Sequence, residues 1–229
     1  AALDALINVL SSTPADLVLS DYAIMDDKTE QLVEHRHAAA DPTHYGTVQP
    51  ISIMGYETIA KIHALTIRTA LLRENDLRVD EGCFYEDAEF SIYPLAHAKT
   101  VFFDEHLVYH YRVGRMGQSV DVERLARNSD QHLNVMASLL AFRDAHADLE
   151  VNALRAIDRA IAYYTQNQYQ IFLSLGNTPE VRAALRSFDE LLKVDYPAVY
   201  DAAEKRSIWA IRKSRYRMFA LGCLAYKLY

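Results

Sequence analysis

Glycine is scarce in this 229-residue chain: there are seven, about 3% against the roughly 7% usual in proteins. They stand at positions 46, 55, 82, 114, 117, 176 and 222, and no grouping of them gives a GxGxxG fingerprint or a P-loop. Both motifs need glycine where backbone must touch phosphate, so a Rossmann dinucleotide site and a P-loop are excluded. Cysteine is rarer still. Cys83 and Cys223 lie 140 positions apart, too few for a zinc tetrad or a disulfide framework, which suits a reducing cytoplasm. No apolar run approaches the 18 residues that a membrane span requires, and the first ten residues lack a basic n-region and a long apolar core. A soluble or peripheral protein is expected.

Basic residues are few over most of the chain and concentrated at its end. Arg206 to Tyr229 carries six (Arg206, Arg212, Lys213, Arg215, Arg217, Lys227) and no acidic residue. The other 205 residues hold 18 basic against 31 acidic side chains, so the net −7 conceals an acidic body and a basic tail. Trp209, Tyr216, Phe219, Tyr226 and Tyr229 interleave with those cations. This mixture suits an interfacial segment on anionic lipid, and the acidic remainder argues against nucleic acid. A packed final helix with solvated cations is an equally good account of the tail.

The apolar share of 51% is ample for a core. Leu3, Leu6, Ile7 and Leu10 have helical spacing, and Ala15 to Tyr22 reads as a buried strand. Residues 26–50 read as loop with an edge strand. Helical spacing over Tyr56–Glu74 predicts a helix with Ile59, Ile62, His63, Thr66, Ile67 and Ala70 on one side. A short helix should begin near Glu86, with Pro94 ending or kinking it. Thr100–Phe103 and Leu107–Arg112 predict two strands joined by a turn at Asp104-Glu105. From residue 121 the period is helical: 122–147, 151–175 with Gly176 at C′, and a helix opened by Thr178-Pro179 that buries Val181, Leu185, Phe188 and Leu192. Asp195 and Ser207 offer caps for two more. The expected fold class is α+β, mostly helical, with an α+β portion at 1–120 and a helical bundle at 121–229.

Two clusters could carry chemistry. In Tyr85-Glu86-Asp87-Ala88-Glu89, three carboxylates repel one another unless a helix N-terminus compensates. One of them at a cleft edge is what a general base for a hydroxyl requires. On local sequence alone, carboxylates capping a solvated helix are the stronger reading. His35-Arg36-His37 with Asp41 and His44 could bind a metal, yet there is no HExxH and no thiolate. Solvent-exposed histidines are the better reading, and no metal ligand is assigned. No GxSxG elbow supports a serine hydrolase.

Residues 56–120 frame the Glu-Asp pair between His63-Ala64-Leu65-Thr66-Ile67-Arg68-Thr69-Ala70-Leu71-Leu72 and Val108-Tyr109-His110-Tyr111-Arg112-Val113-Gly114-Arg115-Met116-Gly117-Gln118-Ser119-Val120. Phe84-Tyr85-Glu86-Asp87-Ala88-Glu89-Phe90 with Tyr93-Pro94 lies between them. With Ala15–Tyr22, this order over about 105 residues resembles the later half of a family 2 glycosyltransferase of the GT-A fold, from the bacterial branch that builds surface polysaccharides. The resemblance implies inverting transfer from a nucleotide-sugar to a glycan or lipid-linked acceptor at the cytoplasmic membrane face, with Asp87 as the base. It places Glu86, Arg112, Gln118, Ser119 and His63 among substrate-binding positions. It also implies a divalent ion, magnesium or manganese, on a DxD motif. That motif and the nucleotide-binding strands have no counterpart in the chain, and Asp26-Asp27 follows the strand it should precede. The 229 residues alone are therefore expected to transfer no sugar. The competing expectation is a non-catalytic helical interaction module in which Glu86 and Asp87 only cap a helix.

Overall fold

The structure, a computed structural model, describes residues 2–54, 61–114 and 126–227. It is mixed α/β and mostly helical, and the chain divides into two units. The first comprises Ala1–Gly82, Glu86–Met116 and His146–Ala156; the second comprises Cys83–Tyr85, Gly117–Ala145 and Ile157–Tyr229.

Strand β1 (Leu17–Asp26) is the spine of the first unit. Its first five residues are buried without alternation, the pattern of a strand covered on both faces. One edge pairs antiparallel with two strands: β2 (Leu32–Arg36) along Tyr22–Met25, and β4 (Leu65–Ile67) along Leu17–Leu19. On the other edge β5 (Thr100–Val113) runs parallel, and β3 (Val48–Pro50) pairs antiparallel with the start of β5. Helix α1 (Ala2–Ser12) lays Leu6 and Val9 on Ala15, Val18, Phe102 and Val108. Leu3, Ile7 and Leu10 face solvent, so only Leu6 of the expected helical seam is buried.

Asp16 pins the sheet at the entrance to β1. Its carboxylate accepts from the Lys99 and Thr100 amides, the Thr100 hydroxyl and the Arg68 guanidinium. Burial pushes its pKa up, but these donors outweigh it and hold the group below the usual carboxylate range.

Two sequence expectations fail here. The helix over Tyr56–Glu74 shrinks to α2 (Thr69–Glu74), after a 3-10 turn at Ile62–Ala64 and strand β4; residues 55–60 lie outside the described residues. Leu65, Thr66 and Ile67 are taken by the open edge of β1, where β-branched side chains fit a pleated surface better than a helix. Likewise, no turn forms at Asp104-Glu105, because Thr100–Val113 is one 14-residue strand. Between Ser20 and Tyr22 of β1, β5 runs from Asp104 to Tyr109. The surplus bulges outward and exposes Glu105 and His106. A hairpin would have reversed the chain, whereas both parts of β5 run parallel to the same neighbour.

Helix α3 (Asp87–Ile92) begins with Asp87 and Glu89 in its first turn, and Pro94 sits at the head of the following 3-10 turn, Tyr93–Ala96. Glu89 is buried and accepts from the Asp80 amide at 2.7 Å. It therefore braces the 76–82 segment rather than facing a cleft.

The second unit is built from α4 (Ser129–Ala145), α5 (Val151–Leu175), α6 (Pro179–Asp195), α7 (Pro197–Ala202), α8 (Arg206–Lys213) and α9 (Phe219–Lys227). The first six residues of α5 belong to the first unit. Ile157, Ile161, Tyr164, Gln168 and Ile171 of α5 are buried, as are Leu185, Phe188 and Leu192 of α6. Thr178 caps α6, its hydroxyl accepting from the Val181 amide. Asp195 and Ser207 do not cap: the N-cap positions of α7 and α8 are Tyr196 and Lys205. A polar network ties α5, α6 and α8 together. Asp189, in α6, accepts from the Tyr169 hydroxyl, from Arg212 Nε at 3.0 Å and from the Tyr216 hydroxyl at 2.6 Å. Arg212 also donates to the Tyr200 carbonyl and lies 3.5 Å from the Tyr200 ring centroid. Arg212 is thus a buried structural cation, although the sequence grouped it with a solvated tail. Among the described residues, no helix is long and apolar enough to cross a membrane.

Candidate functional site

Two clusters in the first unit have the makings of a site. The first surrounds Asp87. The turn Ile62–Ala64 packs against α3 and against β1 and β5, which brings Lys61 and His63 beside the start of α3. The Asp87 carboxyl is half-buried. Burial raises its pKa, the neighbouring Glu86 raises it further, and Lys61 opposes both. A raised pKa strengthens a carboxylate as a base. Tyr85, two residues earlier, holds φ at +74°, a costly conformation for an aromatic residue that persists only where its surroundings enforce it.

His63 fills the space between the sheet and α3. Its ring lies parallel to those of Tyr109 and Tyr111 at 5.1 and 5.0 Å, and edge-on to Tyr22 at 4.4 Å. Tyr109 and Tyr111 share one face of β5 because side chains alternate with period two. Burial, and then Lys61, pushes the imidazole down to about 4. The ring is neutral at pH 7, and its buried Nε2 has no hydrogen-bond partner. An orphaned ring nitrogen of this kind can accept from, or donate to, a hydroxyl arriving beside the tyrosines.

The other expected residues are placed less uniformly. Glu86 is exposed and makes no side-chain cap bond to α3, which removes it from the capping role. Arg112 pairs with Asp27 at 3.6 Å, at the far end of β1 and β5. Gln118 and Ser119 lie outside the described residues.

The second cluster was only partly visible in the sequence. His35 and His37 converge on Asp21, with Nε2 and Nδ1 at 2.7 and 3.1 Å from the same oxygen, Oδ2. The other oxygen, Oδ1, accepts from the Ala38 amide and the Tyr45 hydroxyl. Asp41 and His44 take no part. Asp41 caps the 3-10 turn at Pro42–His44, and His44 stacks over Phe103. Asp21 was missed because it sits in the hydrophobic strand run, 14 residues before its nearest histidine partner. Its one sequence signal is a carboxylate inside a strand otherwise buried on both faces, a group that must find partners.

No protein-family model matches the chain, and comparison with curated proteins finds no match.

Proposed function

We propose that the chain forms the acceptor-side portion of an inverting glycosyltransferase, with Asp87 as the base. The observation that carries this reading is the half-buried Asp87 carboxyl, its pKa raised, beside Lys61 and next to a neutral His63 enclosed by tyrosines. Asp87 takes the proton from an acceptor hydroxyl as that oxygen bonds to the anomeric carbon. The nucleotide diphosphate departs from the opposite face with the bonding pair, so the configuration inverts. Aromatic faces of the kind that surround His63 suit the apolar C–H side of a sugar ring.

The divalent ion that such enzymes hold on a DxD motif does not fit the Asp26-Asp27 pair. Asp26 Oδ1 accepts from the Lys28 and Thr29 amides and from the Thr29 hydroxyl. Asp27 faces Arg112. Both are committed to protein donors, and no step is routed through an ion.

The deciding variant is Asp87→Asn in the complete enzyme. It is nearly isosteric and removes the base, so transfer should fall by about 10²–10⁴ while the far-UV spectrum and unfolding midpoint hold. Unchanged transfer would refute the role of Asp87 and favour a non-catalytic interaction module.

The same proposal includes docking on an anionic membrane surface through the C-terminal helices. Trp209, Met218, Leu221 and Leu224 are exposed apolar side chains. Lys205, Arg206, Lys213, Arg215 and Arg217 are exposed cations among them, and the tail contains no acidic residue. Cosedimentation should be strong with vesicles containing phosphatidylglycerol and weak with pure phosphatidylcholine. Salt should release the protein, and Leu221→Asp/Leu224→Asp should abolish binding. Equal binding to both vesicle types would contradict the electrostatic part.

A further inference from the structure

We propose that Asp21, His35 and His37 form a binding site for a borderline divalent transition metal, zinc foremost, with an open coordination position facing the pocket beside Glu105. This site is independent of the transferase reading and uses none of its residues.

The local sequence builds it through strand register. Tyr22 pairs with Arg36 and Ala23 with His35 across β1 and β2, which sets Asp21 opposite His37 and diagonal to His35. Residues two apart share a face, so His35, His37 and Asp21 must all project to the same side. Their ligand atoms lie within 4.8 Å of one another. The two rings are 4.2 Å apart. A tetrahedral ion with bonds of about 2.0–2.1 Å separates its ligand atoms by roughly 3.3 Å. The present 2.7 and 3.1 Å contacts to Oδ2 would need to open by only a few tenths of an ångström.

The surroundings match what a metal carboxylate needs. Asp21 is 2% exposed, whereas the His35 and His37 side chains are 37% and 61% exposed. An ion can therefore enter past solvent-exposed rings and meet a buried anion. Oδ1 is held by the Ala38 amide at 2.7 Å and the Tyr45 hydroxyl at 2.6 Å. These bonds orient the carboxylate and leave Oδ2 to the ion. The cluster lines a pocket of about 560 Å³ with Ala39, Pro42 and Glu105. Glu105 stands on the β5 bulge and lines the same pocket.

Two of the three donors are imidazoles, which disfavours magnesium and calcium and favours zinc, cobalt or nickel. A second Asp–His pair nearby, Asp104 with His106 at 2.5 Å, has a single imidazole and serves as an internal control.

The test uses chelator-stripped protein titrated with zinc by calorimetry, and with cobalt while visible absorption is followed. One equivalent should bind, with cobalt bands of a low-coordinate N/O site. His35→Ala/His37→Ala should lose the saturable equivalent, while its unfolding midpoint in chelator stays near that of the parent because both rings are exposed. If the double variant fails to fold, His37→Ala alone should still lower affinity. Tyr45→Phe should weaken binding by roughly 10–100-fold, as loss of an outer-shell partner does. Absence of a saturable equivalent in the parent would overturn the site and leave a hydrogen-bonded triad only. So would zinc binding unchanged by the histidine variants.

Discussion

Asp21 in the first unit and Asp189 in the second are both buried carboxylates, and the two are satisfied in opposite ways. Asp189 has Tyr169, itself buried, and the Arg212 guanidinium as partners: the Arg212 and Asp189 side chains are 5% and 2% exposed. Asp21 is just as buried, yet two of its partners are imidazoles that reach it from solvent. A closed network spends its hydrogen-bonding capacity on holding helices together. An open one keeps donors that water, a proton or an ion can replace. Burial of a charged group is therefore no guide to function until the exposure of its partners is known.

Paired isosteric substitutions sharpen this contrast. Asp189→Asn leaves the Arg212 guanidinium buried without a counter-charge and should cost about 3–5 kcal/mol. Asp21→Asn should cost only about 1–3 kcal/mol, because His35 and His37 can turn to water and Ala38 and Tyr45 keep one acceptor. Urea unfolding, with hydrogen exchange read separately on β1 and α6, measures both. Equal costs would erase the distinction between a closed and an open network.

A smaller effect separates the buried histidines from the exposed ones. His132 is buried against Gln168 and Tyr85, and burial holds its pKa near 4; His63 is lowered similarly. Unfolded histidine titrates near 6.5, so the unfolded chain binds more protons between these values. Stability should be full above about pH 6.5 and fall as pH drops toward 4, with a slope from His132 of up to about 1.4 kcal/mol per pH unit. Asp87 and Glu89, with raised pKa values, act in the reverse sense. Unfolding curves from pH 7 to 5 test the slope, and a flat profile would contradict the neutral buried forms.

Much of the fold was legible because the relevant signals are local. The apolar run of β1, the acidic opening of α3, Gly176 after α5 and Thr178-Pro179 before α6 each act within one turn or strand. What failed depended on partners far along the chain. Leu65–Ile67 has acceptable helical spacing and becomes a strand only because β1 offers an edge about 48 residues earlier. Arg212 looked solvated because Asp189 lies 23 positions away on another helix. At the candidate sites, Asp87 was found from its neighbours and its family-like frame. The His35/His37 pair was noticed, but its anchor Asp21 emerges only from the register of β1 on β2. Tyr109, Tyr111 and Lys61 were passed over for the same reason: nothing in their own neighbourhood announces that they converge on His63.

The bulge in β5 also sets parity. Upstream of it, Val101 and Phe103 are packed in the core; downstream, Tyr109 and Tyr111 stack on His63. Between Ser20 and Tyr22 the neighbouring strand counts two steps while β5 counts five. Changing the bulge by an even number of residues preserves which way the tyrosines point, whereas an odd change turns them to the opposite side of the sheet. A short exposed detour thus works as a phase key: the sheet constrains it less by composition than by whether its length is odd or even.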